Sequence, residues 1–569
     1  MFWIYSARGR CYKKKPSKHK GQSTFGKNDI VVLETKAFRH KNQYVVLPVY
    51  PCYSLKNTPQ GDNMLAKIIS GALIGIDGYL VEVEVDLASG MPAFDIVGLP
   101  DSAVKESRER VRTAVRNTGY NFPVKRITVN LAPADIRKSG PAFDLPIAVG
   151  ILIGTKILPQ EAQSGTFFTG ELSLDGAVRP VSGVLPMVLA ARDSGLKTCF
   201  VPAANAEEAA LVEGITIYPL QSINQLADHY KGREITPAKV DIQAIFRENA
   251  DTFNLDFADV KGQSGVKRAL EVSAAGYHNL LMVGPPGAGK TMLATRMPTI
   301  MPGLDFDESI EITKIYSIAG LLDSKCQLIT NRPFRSPHHT ASYVSLTGGG
   351  RIPKPGEISL AHNGVLFLDE LTEFEKKALE VLRQPLEDGK ITVSRVGGVC
   401  TYPSAFLLLA SMNPCPCGHY GTSKCRCSQH EVDRYLSRVS GPLLDRLDIQ
   451  CEVTPVKYDA LSSAPAEKSE DIKNRVLMAR KRQQERFTQE KTKVNAHMTA
   501  PQIDKYCTLG KDEKLLLQQA FDRMNLSARA YHKILKIART IADLAGEDNI
   551  SAMHLTEAIS YRGLDRKYW

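Results

Sequence analysis

From Met64 onward the chain falls into regular patterns of apolar and polar positions. Met64 to Leu87 alternates with the two-residue period of half-buried strands. The pattern is broken at Asp77-Gly78, a favoured hairpin dipeptide, so a strand pair is predicted. Ser102 to Thr118 has helical spacing and many arginines, Arg126 to Leu131 reads as a strand, and Leu145 to Ile157 is an apolar helix candidate. Gly170 to Gly176 predicts a second hairpin turn, followed by a helix over Pro186 to Ser194 and a strand over Thr198 to Pro202. This mixture predicts an α+β or α/β domain over residues 64–228. Residues 229–258, with Gly232, Pro237 and scattered charges, read as a linker. Beyond it, Leu280-Leu281-Met282-Val283 signals a short buried strand that runs into a glycine-rich loop and a helix pattern. That opening predicts an α/β nucleotide-binding core over 259–456. In residues 457–569 the spacing is helical, as in Ile472, Val476, Ala479 and Ile534 to Ile541, and a C-terminal helical domain is predicted.

The 569 residues suffice for about three or four domains, and 43% hydrophobic with 23% charged residues excludes a disordered or collagen-like chain. No apolar run reaches the roughly 18–20 residues that cross a bilayer, so no membrane partner is expected. The first twenty residues lack the apolar core of a secretory signal, and a cytoplasmic location is expected. A net charge of +11 would suggest a nucleic-acid partner, yet residues 1–63 hold twelve Lys or Arg against three acids and carry nearly all of it. That segment is expected to be a basic leader, or an extension from a misassigned start, rather than a binding tail.

Gly284-Pro285-Pro286-Gly287-Ala288-Gly289-Lys290-Thr291 matches G-x-x-x-x-G-K-[ST] in full, with a strand before it and a helix after it. Backbone N–H groups there can wrap phosphate oxygens, Lys290 can reach the β- and γ-phosphates, and Thr291 can ligate Mg²⁺. Val365 to Leu368 is a second buried strand, ending in Asp369 and Glu370. Asp369 suits the Mg²⁺ shell and Glu370 suits polarising an attacking water. Asn413 ends a third apolar strand and could hold that water. The glycine-rich loop and the Asp369-Glu370 strand together specify an NTPase. In Ser440 to Asp448, Arg446 stands among acids and apolar residues; an arginine finger for a neighbouring subunit and an intrachain Arg–Asp pair are both open readings.

Cys415, Cys417, Cys425 and Cys427 form a C-x-C-x₇-C-x-C cluster with turn-permitting Gly418 and Gly421. Four thiolates at this spacing fit a structural Zn²⁺, with free or redox-active thiols as the alternative. His419 and His430 are substitutes close by, whereas His338 and His339 read as buried hydrogen-bonding residues.

The two Walker motifs, the asparagine strand and S-G-P-L-L-D-R-L-D resemble an AAA+ ATPase of the magnesium-chelatase-like group. The resemblance is closer to the ComM/YifB family, through V-G-L-P-D-S-A-V-K-E-S-R-E-R-V-R, F-R-S-P-H-H-T-A-S, N-P-C-P-C-G and A-R-T-I-A-D-L. It implies an AAA+ P-loop core with a C-terminal helical lid, preceded by a Lon-type α+β domain. It also implies Asn413 as sensor one, Arg446 as the trans finger with Arg434 and Arg438 as rivals, and Arg529 as the sensor-two arginine. Tyr277 departs from the family pattern, which has Gly there.

Leu386 to Gly398 resembles the pre-sensor hairpin of MCM-type helicases and magnesium chelatases. On that resemblance Lys390 and Arg395 would project into a ring pore and track DNA phosphates, the alternative being a solvated hairpin. Gly348 to Lys354 would form a second pore loop bearing Lys354. Residues 64–228 resemble the Lon peptidase domain, but Ala142 stands where the serine belongs and Val181 to Pro186 holds no lysine, so a peptidase is not expected. The family implies a homo-hexameric, ATP-driven DNA motor for branch migration or unwinding in natural transformation or recombination. The alternative is a chelatase-like remodelling ATPase with partner subunits, against which stands the Lon-like domain that chelatase motor subunits usually lack.

Overall fold

The computed structural model describes residues 38–40, 43–45, 64–248, 254–322, 328–350, 353–395, 398–455, 466–524 and 526–564. Residues Met1–Gly61 form a unit of their own, in which Phe38–His40 and Gln43–Val45 pair as antiparallel strands; the rest of the expected leader lies outside the described residues. No helix among the described residues is long and apolar enough to cross a membrane.

The second unit, Asp62–Trp569, opens on a seven-stranded mixed sheet. Its centre is the long antiparallel pair Met64–Ile74 and Asp77–Ala88. The turn is Gly75-Ile76 rather than Asp77-Gly78, which are paired with Ile74 and Leu73. Gly75 takes the left-handed φ of +63° that the turn requires, whereas Gly78 lies where any Cβ would collide with the Pro186 carbonyl. The expected helices form at Ser102–Asn117, Asp144–Gly154 and Val184–Asp193. Asp144 is fully buried, and it is tolerated there because the Arg110 guanidinium forks onto it at 2.7 and 3.1 Å while the Leu172 amide donates at 3.2 Å. Breaking such a buried pair costs about 3–5 kcal/mol. Within 229–258, Ile242–Glu248 is a helix whose Ile242, Ile245 and Phe246 pack on the first domain.

The second sheet has five parallel strands in the order Phe334–Arg335, Val365–Leu368, Leu407–Met412, Leu280–Val283, Ile449–Glu452. Val365–Leu368, Leu407–Met412 and Leu280–Val283 are buried throughout, as parallel strands covered on both faces must be, which explains their unbroken apolar sequences. Register pairs Val283 with Met412 and Leu368 with Ala410. The residues that follow these strands therefore leave the sheet at one edge, the carboxyl ends where α/β sheets bind ligands. Among the described residues from 466 onward, five α-helices follow, Ser469–Arg486, Ala500–Tyr506, Lys511–Met524, Ala528–Ala545 and Ala552–Ser560. They share one apolar core with the second sheet. Asp543 is their buried polar centre, held by Arg486, Arg539 and Asn495. The first domain docks on helix Phe306–Ala319 through Glu208, which accepts from Ser317 Oγ and the Leu185 amide, and through the Gly183 amide on the Ser317 carbonyl.

Candidate nucleotide site

The three strand ends converge on Lys290. Its Nζ, buried at the start of helix Lys290–Ala294, donates to the carbonyls of Gly284 and Pro285 at 2.7 and 3.0 Å and to Asn413 Oδ1 at 3.0 Å. Burial pushes the ammonium below the usual lysine range, while Asp369 and Glu370 pull it back up. Gly287 and Gly289 have φ of +76° and +89°, and nothing lies within 4 Å of where their Cβ atoms would be. The loop thus presents an open cradle lined by backbone, the shape a polyphosphate needs. Gln263 braces it from behind, its Nε2 donating to the Ala288 carbonyl at 3.4 Å and the Thr454 carbonyl at 2.5 Å.

Thr291 Oγ1 donates to Asp369 Oδ2 at 2.6 Å, so two oxygen ligands of the kind Mg²⁺ takes stand side by side. The other Asp369 oxygen accepts from Ser411 Oγ and, at 3.1 Å, from the Glu370 amide. A bound Mg²⁺ would neutralise phosphate charge at this pair. Glu370 has a left-handed φ of +53°, its side chain is 54% exposed, and it lies 3.3 Å from His339 Nδ1. The expectation that His338 and His339 are buried is corrected: both stand in the loop after Phe334–Arg335, their rings 4.1 Å apart, with His338 exposed.

Other expected site residues are placed away from this centre. Arg446 is tied within its own chain to Glu387 and, at 2.5 Å, to the Pro442 carbonyl, leaving its side chain 12% exposed. Within the chain its ion-pair partner is Glu387, not a flanking Asp. Arg438 pairs with Glu373 at 3.1 Å, whereas Arg434 is exposed and makes no ion pair among the described residues. Arg529 faces Asp445 at 3.8 Å from the start of the Ala528–Ala545 helix.

The pre-sensor hairpin forms, Lys390–Arg395 against Gly398–Pro403, with its tip at 396–397 outside the described residues. Lys390 sits at its base on the exposed face with Thr392 and Ser394. Arg395 sits near the tip on the other face, turned onto the Gly348 carbonyl. The two cations therefore lie on opposite faces of the hairpin. Lys354 is exposed in a short strand paired with Gly348–Gly349; Arg351 and Ile352 lie outside the described residues. In the first domain Lys138 is fully buried with no partner for Nζ, and no hydroxyl–lysine pair is present among the described residues.

The four cysteines come together, Cys415 fully buried and all four sulfurs within 4.8 Å of one another. Cys415 lies 3.4 Å from Cys417 and 3.9 Å from Cys425, and Cys417 lies 3.8 Å from Cys425.

Family models described as magnesium chelatase, subunit ChlI, match residues 256–461 and, for its C-terminal part, 466–562. The chain is 44% identical over 510 residues to the competence protein ComM of Haemophilus influenzae, a match covering 88% of this chain and 98% of that protein. It is 42% identical over 504 residues to YifB of Escherichia coli, with the same coverage. The chain belongs to the ComM/YifB family. Its core is an ATP-binding module of the magnesium-chelatase-type AAA+ family. A stretch of 178 residues, 29% of this chain, is 25% identical to Lon protease of Buchnera aphidicola. A model described as subunit ChlI of Mg-chelatase also matches residues 83–205. The first domain therefore does not separate a ComM-like from a chelatase-like reading.

Ser411 and His339 are the functional candidates that sequence reasoning missed. Ser411 carried a signal, a lone hydroxyl in the apolar run Leu407 to Met412. His339 reads from sequence as a hydrogen-bonding residue, but nothing there points to Glu370, 31 residues on, as its partner.

Proposed function

We propose that this chain is an ATP-driven motor that assembles as a ring, homo-hexameric by family analogy, and moves branched DNA as a competence or recombination factor. The observation that carries the reading is the path from the hydrolysis site to the hairpin. Strand Gly398–Pro403 leads within four residues into Leu407–Met412, which ends at Asn413 on Lys290. A change at the phosphates is thereby passed along strand Leu407–Met412 and the short loop before it to the element offered to DNA, where Lys390 and Lys354 supply exposed charge and Arg395 positions the hairpin against the Gly348 loop. The 44% identity to a competence protein supports the same reading.

In hydrolysis Lys290 and the loop amides hold the phosphates, Glu370 takes the proton of the attacking water, Asn413 orients it, and an arginine from a neighbouring subunit offsets transition-state charge. Arg446 fills that last role once its pair with Glu387 opens, and Arg529 reports on the nucleotide from the lid. The four thiols holding a structural zinc ion belong to this reading, as does a cytoplasmic location. The test is migration of a four-way DNA junction by purified protein. Wild type should migrate it with ATP and Mg²⁺; Glu370→Gln should bind ATP and fail. Migration by Glu370→Gln would reject the motor. The three chelatase-subunit matches favour a second reading, remodelling of a partner protein for metal insertion. ATPase activity indifferent to branched DNA would support it.

A further inference from the structure

The segment between Asn413 and helix Gln429–Leu436 carries the four cysteines and touches the phosphate loop. A zinc ion with Zn–S bonds of about 2.3 Å sets tetrahedral sulfur–sulfur edges of about 3.8 Å. The three separations of 3.4, 3.9 and 3.8 Å scatter about that edge, and all exceed the roughly 2.05 Å of a disulfide.

The cluster is anchored at three places. Cys415 stands two residues after Asn413, the acceptor of Lys290. Gly418, inside the first half of the knuckle, has φ of +79° and donates its amide to the Cys415 carbonyl at 2.9 Å. Its backbone lies so close to the phosphate loop that a Cβ there would collide with the Pro286 ring. Ser428, directly after Cys427, caps the helix that bears Arg434 in a reciprocal box with Glu431.

We propose that Cys415, Cys417, Cys425 and Cys427 bind one Zn²⁺, and that the loaded knuckle props Pro286, so that affinity for ATP depends on zinc occupancy. The inference rests on the ATPase reading above. Without the metal, the two C-x-C pairs are held only by turn hydrogen bonds such as the Cys425 amide on the Thr422 carbonyl and by side-chain packing, and the backbone of Gly418 can move away from Pro286. Loss of one loop hydrogen bond to a charged phosphate oxygen is enough to weaken nucleotide binding on the order of tenfold.

Full-length protein purified without chelator is analysed for zinc by plasma emission. It is then titrated with a fluorescent ATP analogue as purified, after metal removal with a mercurial and a chelator, and after zinc is returned. The expected result is one zinc per chain, about tenfold weaker binding on removal, and recovery on return. Cys417→Ser with Cys425→Ser should lose zinc and bind ATP weakly. Gly418→Ala keeps all four thiols but presses on Pro286; it should retain zinc and still bind ATP weakly, which a misfolded knuckle would not do. No zinc in the native protein overturns the metal site. Zinc present with unchanged ATP affinity on its removal overturns the coupling. Failure of zinc-loaded wild type to bind the analogue overturns the ATPase reading, and this inference with it.

Discussion

Glu370 is paired with His339, Oε2 to Nδ1 at 3.3 Å. The carboxylate that should face the attacking water is instead turned to the loop following the edge strand Phe334–Arg335. On the proposed mechanism, Glu370 has to leave this contact to reach the attacking water. Removing the imidazole should free it. A partly exposed pair of this kind contributes about 0.2–1 kcal/mol, so His339→Ala is expected to raise DNA-independent ATP hydrolysis by roughly 1.5- to 5-fold. Steady-state ATPase assays decide; a fall in rate would mean that His339 positions Glu370 for catalysis.

Ser411 gives a separable effect. Its hydroxyl orients the Asp369 oxygen that Thr291 does not engage. Groups that orient metal ligands typically change metal affinity by about 10–100-fold when lost. Ser411→Ala should therefore raise the Mg²⁺ concentration for half-maximal ATPase by about that factor and leave the rate at saturating Mg²⁺ close to wild type. A lowered maximal rate at unchanged Mg²⁺ dependence would remove Ser411 from the metal site.

The ATPase sheet was legible because parallel strands buried on both faces must be apolar throughout. Leu280–Val283 and Val365–Leu368 accordingly form as the sequence predicts. The phosphate loop was legible because its chemistry is local. What was hidden depends on residues distant in sequence: Glu387 taking Arg446 across 59 positions, His339 meeting Glu370. The split of Lys390 from Arg395 was readable after all. Five positions separate them, and a two-residue period puts an odd separation on opposite faces. The turn at Gly75-Ile76 was obscured by Asp77-Gly78, whose glycine serves close packing against Pro186.

Arg446 and Arg434 make opposite structural offers, one tied to Glu387 and the other exposed. A trans finger is tested by mixing. Arg446→Ala alone should lower hydrolysis about a thousandfold, the lower bound for loss of a finger. Lys290→Ala alone should be inactive. Mixed together, they form some interfaces in which an intact loop meets an intact arginine, and activity should return. Recovery with Arg434→Ala but not with Arg446→Ala would move the finger to Arg434 and leave Arg446 as a structural tie.

The junction between core and lid should be acid-sensitive through His278 and Asp448. His278 is buried, its Nε2 2.8 Å from Thr540 Oγ1 on the lid helix and its Nδ1 3.5 Å from Asp448. Burial pushes its imidazole below the usual range, with Lys536 and Arg480 adding to the effect against the pull of Asp448. For Asp448 burial alone would raise the carboxyl, but Lys533, at 2.8 Å, and His278 outweigh it and hold the carboxyl well below the usual range. Both groups bind protons less readily folded than unfolded, so stability falls as the pH drops. The loss begins near the unfolded histidine value of about 6.5 and resumes near the unfolded aspartate value of about 3.9, at no more than about 1.4 kcal/mol per pH unit for each group. Thermal melts from pH 7.5 to 5.0 should show Tm falling below pH 6.5. His278→Gln keeps a polar contact to Thr540 but cannot titrate, and its Tm should fall less over the same interval. An identical slope in the two proteins would place the acid sensitivity elsewhere.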